Sequence, residues 1–232
     1  MATSEAVRTP AVEDYTKAIF SLESRRQEPV STKTLAARLG ITPGSVSAML
    51  KRLDELGLIT HVPYRGVRLT PAGRRIALEV IRHHRLLESY LAEVLGMPWD
   101  RVHDEAEVLE HVLSDDLEEL IAAKLGHPTV DPHGDPIPTV EFDLDEAETI
   151  GLDELPIGAV GRFVRVSDSD SEMLRYLADQ GVSLGETLEV LERQPFGGPL
   201  FVRFGTPQGT AGERTLALGD ALTRAMRVEV GS

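Results

Sequence analysis

His84 and Glu88 stand four residues apart in the stretch Arg82 to Leu120, and His103, Glu107, Glu110 and His111 follow at spacings of four, three and one. On a helix, residues three or four apart share a face. Two helical segments meeting here would therefore present imidazoles and carboxylates to each other. Those are the donors of a first-row divalent metal site, in sufficient number for more than one ion. The competing reading is a solvated acidic helix with scattered histidines; the recurrence of four-spaced His/Glu pairs on both segments favours metal. Cys is absent from all 232 residues, which excludes thiolate ligands and disulfides. Because His/Glu sites also activate water, a metal-dependent hydrolase is the competing class. Neither an HExxH pattern nor a phosphate-cradling loop accompanies these residues, which counts against enzymatic chemistry.

The elements that must hold this group are uneven in charge. The whole chain carries a formal charge of -14, with 24 Lys and Arg against 38 Asp and Glu. Residues 1–75 hold 12 basic against 7 acidic side chains, a balance of +5, and the remainder holds 12 against 31, a balance of -19. A basic module suited to phosphate is joined to an acidic body suited to divalent cations. The length exceeds that of a usual single domain. Three domains are expected: 1–75, 76–148 and 149–232. The N-terminus lacks an apolar signal core and no later segment has the apolar run of a membrane span, so a cytoplasmic protein without membrane contact is expected.

In the basic module, Val12, Tyr15, Ile19 and Leu22 form one helical stripe. Ser31 reads as the cap of a helix closed by Gly40, and Thr42-Pro43 opens a second helix running to Gly57. The short LGIT turn between them is that of a helix-turn-helix. Val46, Met49, Leu50 and Leu53 face inward, leaving Thr42, Ser45, Ser47, Ala48 and Lys51 outward for a major groove. Two strands around Tyr64-Arg65-Gly66 then make a wing. Arg65 and Arg68, with Lys33, Lys51 and Arg52, are the candidate contacts to the DNA backbone. A winged domain that binds protein is the alternative.

A long helix is expected over Pro71 to Leu95 and another helical region over Trp99 to Leu125. Their apolar faces exceed what one winged domain needs, which predicts a homodimer with two recognition helices for a palindromic operator. Residues 126–148 read as an extended, polar connection in which His127 and His133 are loop residues. Short alternating segments over 155–230 suggest a small twisted barrel interrupted by the helix SEMLRYLADQG. Asp168, Asp170 and Glu172 lie near the start of that helix, as metal donors or as helix caps.

Three stretches together carry a family resemblance: EDYTKAIFSLE; TPGSVSAMLKRLDELGLI through YRGVRLTPAG; and HHRLLE followed by VHDEAEVLEHVLSDDLE. Across almost all of residues 10–125 the chain resembles the diphtheria toxin repressor family of metal-dependent transcription regulators. The resemblance implies a mainly α fold with small β elements: an N-terminal winged helix-turn-helix, a helical dimerisation domain and a C-terminal SH3-like small barrel. It implies a primary metal site of Asp14, Glu107, Glu110 and His111, with His84 joining a neighbouring ion, and an ancillary site of His84, Glu88 and His103. It favours Asp170 as a donor from the last domain, although Met173 stands where the family places a Gln donor. Iron-selective members carry Met where this chain has Asp14 and Cys where it has Glu107. Oxygen donors at both positions resemble the manganese-responsive branch, except that Lys17 replaces a further Glu found in its compact members. The implied protein is a metal-activated repressor of metal-uptake genes that binds double-stranded DNA. Mn(II) is its expected ion, Fe(II) the alternative, and other divalent transition metals are expected to bind in vitro.

Overall fold

A computed structural model describes residues 8–26, 28–145, 147–206 and 209–231. The chain divides into two compact units, Met1–His84 with Glu107–Glu118 and Pro138–Asp143, and Arg85–Ala106 with Glu119–Ile137 and Leu144–Ser232.

In the first unit, α1 (Pro10–Arg26) opens where the Thr9 carbonyl and hydroxyl receive the Val12 N–H. Its stripe of Val12, Tyr15 and Ile19 is buried. Ser31 caps α2 (Thr32–Leu39) by accepting from the Thr34 N–H, and Gly40, at φ 67°, closes it in the left-handed region that favours glycine. Thr42 caps α3 (Pro43–Glu55) through the Ser45 N–H at 3.2 Å, with Pro43 at the first helical position. Val46, Leu50 and Leu53 of α3 join Val12, Ile19, Leu35, Leu58, Ile59 and Val67 in one core. The wing is an antiparallel pair, β1 (Ile59–Val62) and β2 (Gly66–Leu69), with Ile59 opposite Leu69 and Val62 opposite Gly66. Val30 bridges to Val67 from the other side. Gly66 has φ 128°, and a Cβ there would lie 2.1 Å from the Val30 carbonyl oxygen, so the tight approach of this backbone depends on glycine.

The helix α4 (Pro71–Glu93) begins with Thr70 accepting from the Gly73 N–H. The helical region expected over Trp99 to Leu125 is two helices, α5 (Val102–Leu109) and α6 (Asp115–Lys124). The break is physical. Ser114 accepts the Leu117 N–H with its hydroxyl and the Glu118 N–H with its carbonyl, and Asp115, Asp116 and Glu118 place acids on the positive end of the new helix. Glu110 and His111 thereby fall in the turn after α5 rather than on a helix face.

The second unit holds the polar loop and the C-terminal sheet. The loop is partly buried rather than merely an extended connection. Val130 bridges to Pro136, and one Asp131 carboxylate oxygen accepts from the His133 N–H at 2.8 Å and the Asp135 N–H at 2.9 Å. His133 is fully buried, stacks on Trp99 and contacts the Trp99 carbonyl at 2.8 Å. The strands are β3 (Ile150–Gly151), β4 (Val160–Val166), β5 (Thr187–Arg193), β6 (Leu200–Thr206), β7 (Gly209–Leu218) and β8 (Met226–Glu229), with α7 (Ser171–Asp179) after β4 and α8 (Asp220–Ala225) before β8. Their order is β3-β8-β4-β5-β6-β7, antiparallel throughout. This corrects the expectation of an SH3-like barrel: the sheet has two ends, β3 and β7, and is not closed. Its edges are unequal, two residues in β3 against ten in β7, so they offer no matching ladder for closure. Leu174 and Leu177 of α7 instead pack in one core with Phe163, Val190, Val202, Phe204 and Val228.

Candidate metal centre

Glu110, almost wholly buried in the turn after α5, is the middle of the first centre. Its carboxylate belongs to two donor groups, Asp14 with Glu110 and His111, and His84 with Glu107 and Glu110. In each group one donor atom per residue lies within 4.8 Å of the others. His84 Nδ1 is 2.5 Å from Glu110 Oε2. His111 Nε2 is 3.1 Å from Asp14 Oδ1 and 3.7 Å from Glu110 Oε1, while its Nδ1 contacts Glu13 Oε2 at 2.6 Å. Glu13 thus orients the His111 ring, as a carboxylate behind a ligating imidazole does. The His83 ring reaches the Glu110 carbonyl at 3.1 Å and fixes the backbone of the turn.

Lys17 stands inside this group. Its Nζ is 2.8 and 2.7 Å from the two Glu110 oxygens, 3.0 Å from Glu107 Oε1 and 3.3 Å from His84 Nδ1. Three carboxylates gathered here call for positive charge. Burial raises the Asp14 pKa above its ordinary value, His111 opposes that rise, and Glu110 and Glu107 add to it. The donors are oxygen and imidazole nitrogen, and they fit a first-row divalent ion. The lysine ammonium already occupies a cation's place among them.

In the second unit, Glu88 of α4, His103 of α5 and Asp168 ahead of α7 converge. His103 Nδ1 lies 3.3 Å from Glu88 Oε1 and 3.0 Å from Asp168 Oδ2. Burial disfavours the charged His103 ring, but Asp168 and Glu88 outweigh it and push its pKa up to about 10. Burial likewise opposes ionisation of Asp168, yet His103 holds it down at about 2. Asp170 is elsewhere engaged: its carboxylate caps α7 by accepting from the Glu172 and Met173 N–H groups at 3.0 and 3.2 Å. Of the acids near the start of α7, the structure therefore sets Asp168, rather than Asp170, against His103. Local sequence signals a cap well but does not show which carboxylate turns toward another element. His133, read as a loop residue, places Nδ1 3.6 Å from Glu88 Oε2, and Glu88, Asp131 and His133 form a further group of donors. The buried Glu88 carboxylate has an imidazole near each oxygen, an arrangement of long sequence range that helical spacing does not reveal.

All nine candidate DNA contacts, Lys33, Thr42, Ser45, Ser47, Ala48, Lys51, Arg52, Arg65 and Arg68, are exposed. Thr42 also holds the start of α3, and the Ser47 hydroxyl donates to the Pro43 carbonyl at 2.9 Å. Arg65 stands beside the fully exposed Tyr64 at the tip of the wing. None of the helices of the described residues is long and apolar enough to cross a membrane.

Residues 8–67 match the family described as iron dependent repressor, N-terminal DNA binding domain, residues 70–139 the iron dependent repressor metal binding and dimerisation domain, and residues 150–230 the FeoA domain. The chain is 32% identical to the iron-dependent repressor IdeR of Mycobacterium bovis, covering 94% of this chain and 96% of that protein. It is 33% identical to the diphtheria toxin repressor of Corynebacterium glutamicum, covering 94% and 95%. Among solved structures, a manganese-dependent transcriptional repressor in complex with manganese superposes with a TM-score of 0.87 at 42% identity, covering 95% of this chain and 100% of that one. The repressor ScaR with bound Cd2+ superposes at 0.80 with 28% identity, covering 95% and 99%.

Proposed function

We propose that this chain, which belongs to the iron-dependent repressor family of metal-activated, DNA-binding transcriptional repressors, responds to Mn(II) and acts as a homodimer on palindromic operators of metal-uptake genes. The single observation that carries the metal assignment is the donor set at Glu110. Asp14, Glu107 and Glu110 offer hard oxygens and His84 and His111 offer imidazoles, with no sulfur donor. The similarity to a manganese-dependent repressor at 42% identity supports the same ion, while the relatives named for iron make Fe(II) the other arm of the test.

Asp14, Glu110 and His111 would hold an ion at the first centre, and Glu88, His103 and Asp168 another at the second. The bound ion supplies positive charge that lets these carboxylates lie together without repulsion. Asp14 belongs to α1 of the winged domain and Glu110 and His111 to the turn after α5, so shared ligation restrains α1 against that turn. That restraint would act as regulation only if the donors of the DNA-competent arrangement held an ion more tightly than those of the loose one. The helix α3 then supplies the base-reading face, and Arg65, Arg68, Lys33, Lys51 and Arg52 meet phosphate.

The test is anaerobic recovery of genomic fragments by metal-stripped protein, alone and with matched Mn(II) or Fe(II), followed by sequencing. Selective recovery of a palindrome with Mn(II) is expected. Recovery that follows Fe(II) instead would overturn the choice of ion, and equal recovery without metal would overturn the switch.

A further inference from the structure

The first centre contains two cation positions that share one carboxylate, and they are not equivalent. Asp14, Glu110 and His111 surround one; His84, Glu107 and Glu110 surround the other. Lys17 Nζ contacts every member of the second group and takes both Glu110 oxygens at 2.8 and 2.7 Å. The same lysine lies three residues after Asp14 on α1, so one helix face delivers a ligand to the first position and a covalently tethered cation to the second. We propose that the Lys17 ammonium is a built-in substitute for a second metal ion, which makes the centre at Glu110 a one-ion centre.

Charge balance supports the assignment. The donors Asp14, Glu107 and Glu110 bring three negative charges, matched by the ammonium and one divalent ion, while Glu13 behind His111 faces its own cation, Arg8, at 3.7 Å. Two divalent ions beside the ammonium would leave an excess of two positive charges around a carboxylate that is 1% exposed, where screening by water is weak. Geometry points the same way. The Lys17 side chain is 18% exposed and reaches the group from α1 with its head among three acceptor residues, so a second ion would have to expel it. Lysine serves here as a point charge with several donors, a role that a neutral side chain of similar length cannot fill.

The inference rests on the reading of Glu110 as part of a metal centre, and its test separates the two. Metal-stripped protein carrying Glu88→Gln, which takes away the carboxylate shared by both donor groups of the second unit, is titrated with Mn(II) as the probe. Bound ions per chain are measured by atomic emission, and the spin state of the bound Mn(II) by electron paramagnetic resonance. With Lys17 present, one ion per chain and the spectrum of isolated Mn(II) are expected. Lys17→Gln is expected to bind one additional ion and to show the exchange-coupled signal of two Mn(II) sharing a carboxylate, while Lys17→Arg keeps the single isolated ion. A coupled pair in the protein that retains Lys17 overturns the proposal, whether or not Lys17→Gln folds. So does an unchanged count in a Lys17→Gln protein whose circular dichroism shows it folded. Absence of any ion at this centre would overturn the metal reading along with it. A DNA response to Fe(II) alone would overturn only the choice of ion, because the ion count does not depend on which metal triggers DNA binding.

Discussion

Glu110 is the residue on which both donor groups of the first centre depend, whereas Asp14 and Glu107 each serve one. That asymmetry orders the expected defects. Glu110→Gln is expected to weaken Mn(II) binding by more than the roughly 10- to 100-fold typical of losing a residue behind a metal ligand, and to abolish metal-dependent DNA affinity. Glu107→Ala, which leaves Asp14, Glu110 and His111 in place, should lose less. Titrating Mn(II) into each variant with a labelled operator and following anisotropy checks the order; equal losses would mean that the two groups work as one. At this scale the sequence was informative where spacing is local. His103 and Glu107 both belong to α5, and Glu110 and His111 follow it directly. It was less informative where a partner comes from far along the chain. Asp168 and His133 approach His103 and Glu88 only through the folded second unit, and Lys17 reaches Glu107 and Glu110 across 90 and 93 residues.

Among the elements, capping residues made the helix-turn-helix legible, because Ser31, Thr42 and Gly40 act within one turn of their own backbone. That the C-terminal sheet stays open was not legible, since closure would need pairing of β3 with β7, which lie far apart in sequence. The wing has one position that its backbone fixes. Gly66→Ala is expected to destabilise by more than the roughly 1 kcal/mol of a strained φ alone, because its new Cβ would meet the Val30 carbonyl; a thermal melt within a degree of the wild type would sink this account. The contact between α4 and α6 has a pH signature. His83 Nε2 lies 2.9 Å from Glu118 Oε2, and Arg82 Nε lies 2.5 Å from Glu118 Oε1. Burial opposes charge on His83, but Glu118 raises its pKa above the ordinary 6.5; burial also opposes charge on Glu118, but His83 and Arg82 lower it below 4.5. The His83 contribution is therefore full below about pH 6.5 and fades as pH rises through the raised value, and the Glu118 contribution is full above about pH 4.5 and fades as pH falls through the lowered one. In metal-free protein, His83→Gln should cost more stability at about pH 6 than at about pH 9. Urea unfolding at both pH values checks this, and an equal cost would show that the ring acts by packing alone.

For the whole molecule, the question is what the acidic body presents to a second copy. Val108 and Val112 are 70% and 77% exposed and Leu117 is 48% exposed, all in the first unit and within the segment matched as the metal binding and dimerisation domain. Three large apolar side chains left to water so close together suit an interface that recurs on both copies. Replacing Val112 and Leu117 with Glu should leave the fold intact, since neither side chain belongs to a buried core, while adding like charges to both copies of the proposed interface. Light scattering is expected to report a monomer. DNA binding should then show both a lower affinity and a shallower dependence on salt, because one winged domain neutralises about half the phosphates that two do. A variant that stays dimeric would move the interface elsewhere. A monomer that kept the wild-type salt slope would show that a single +5 module accounts for the whole DNA contact, and the paired recognition helices would have to be abandoned.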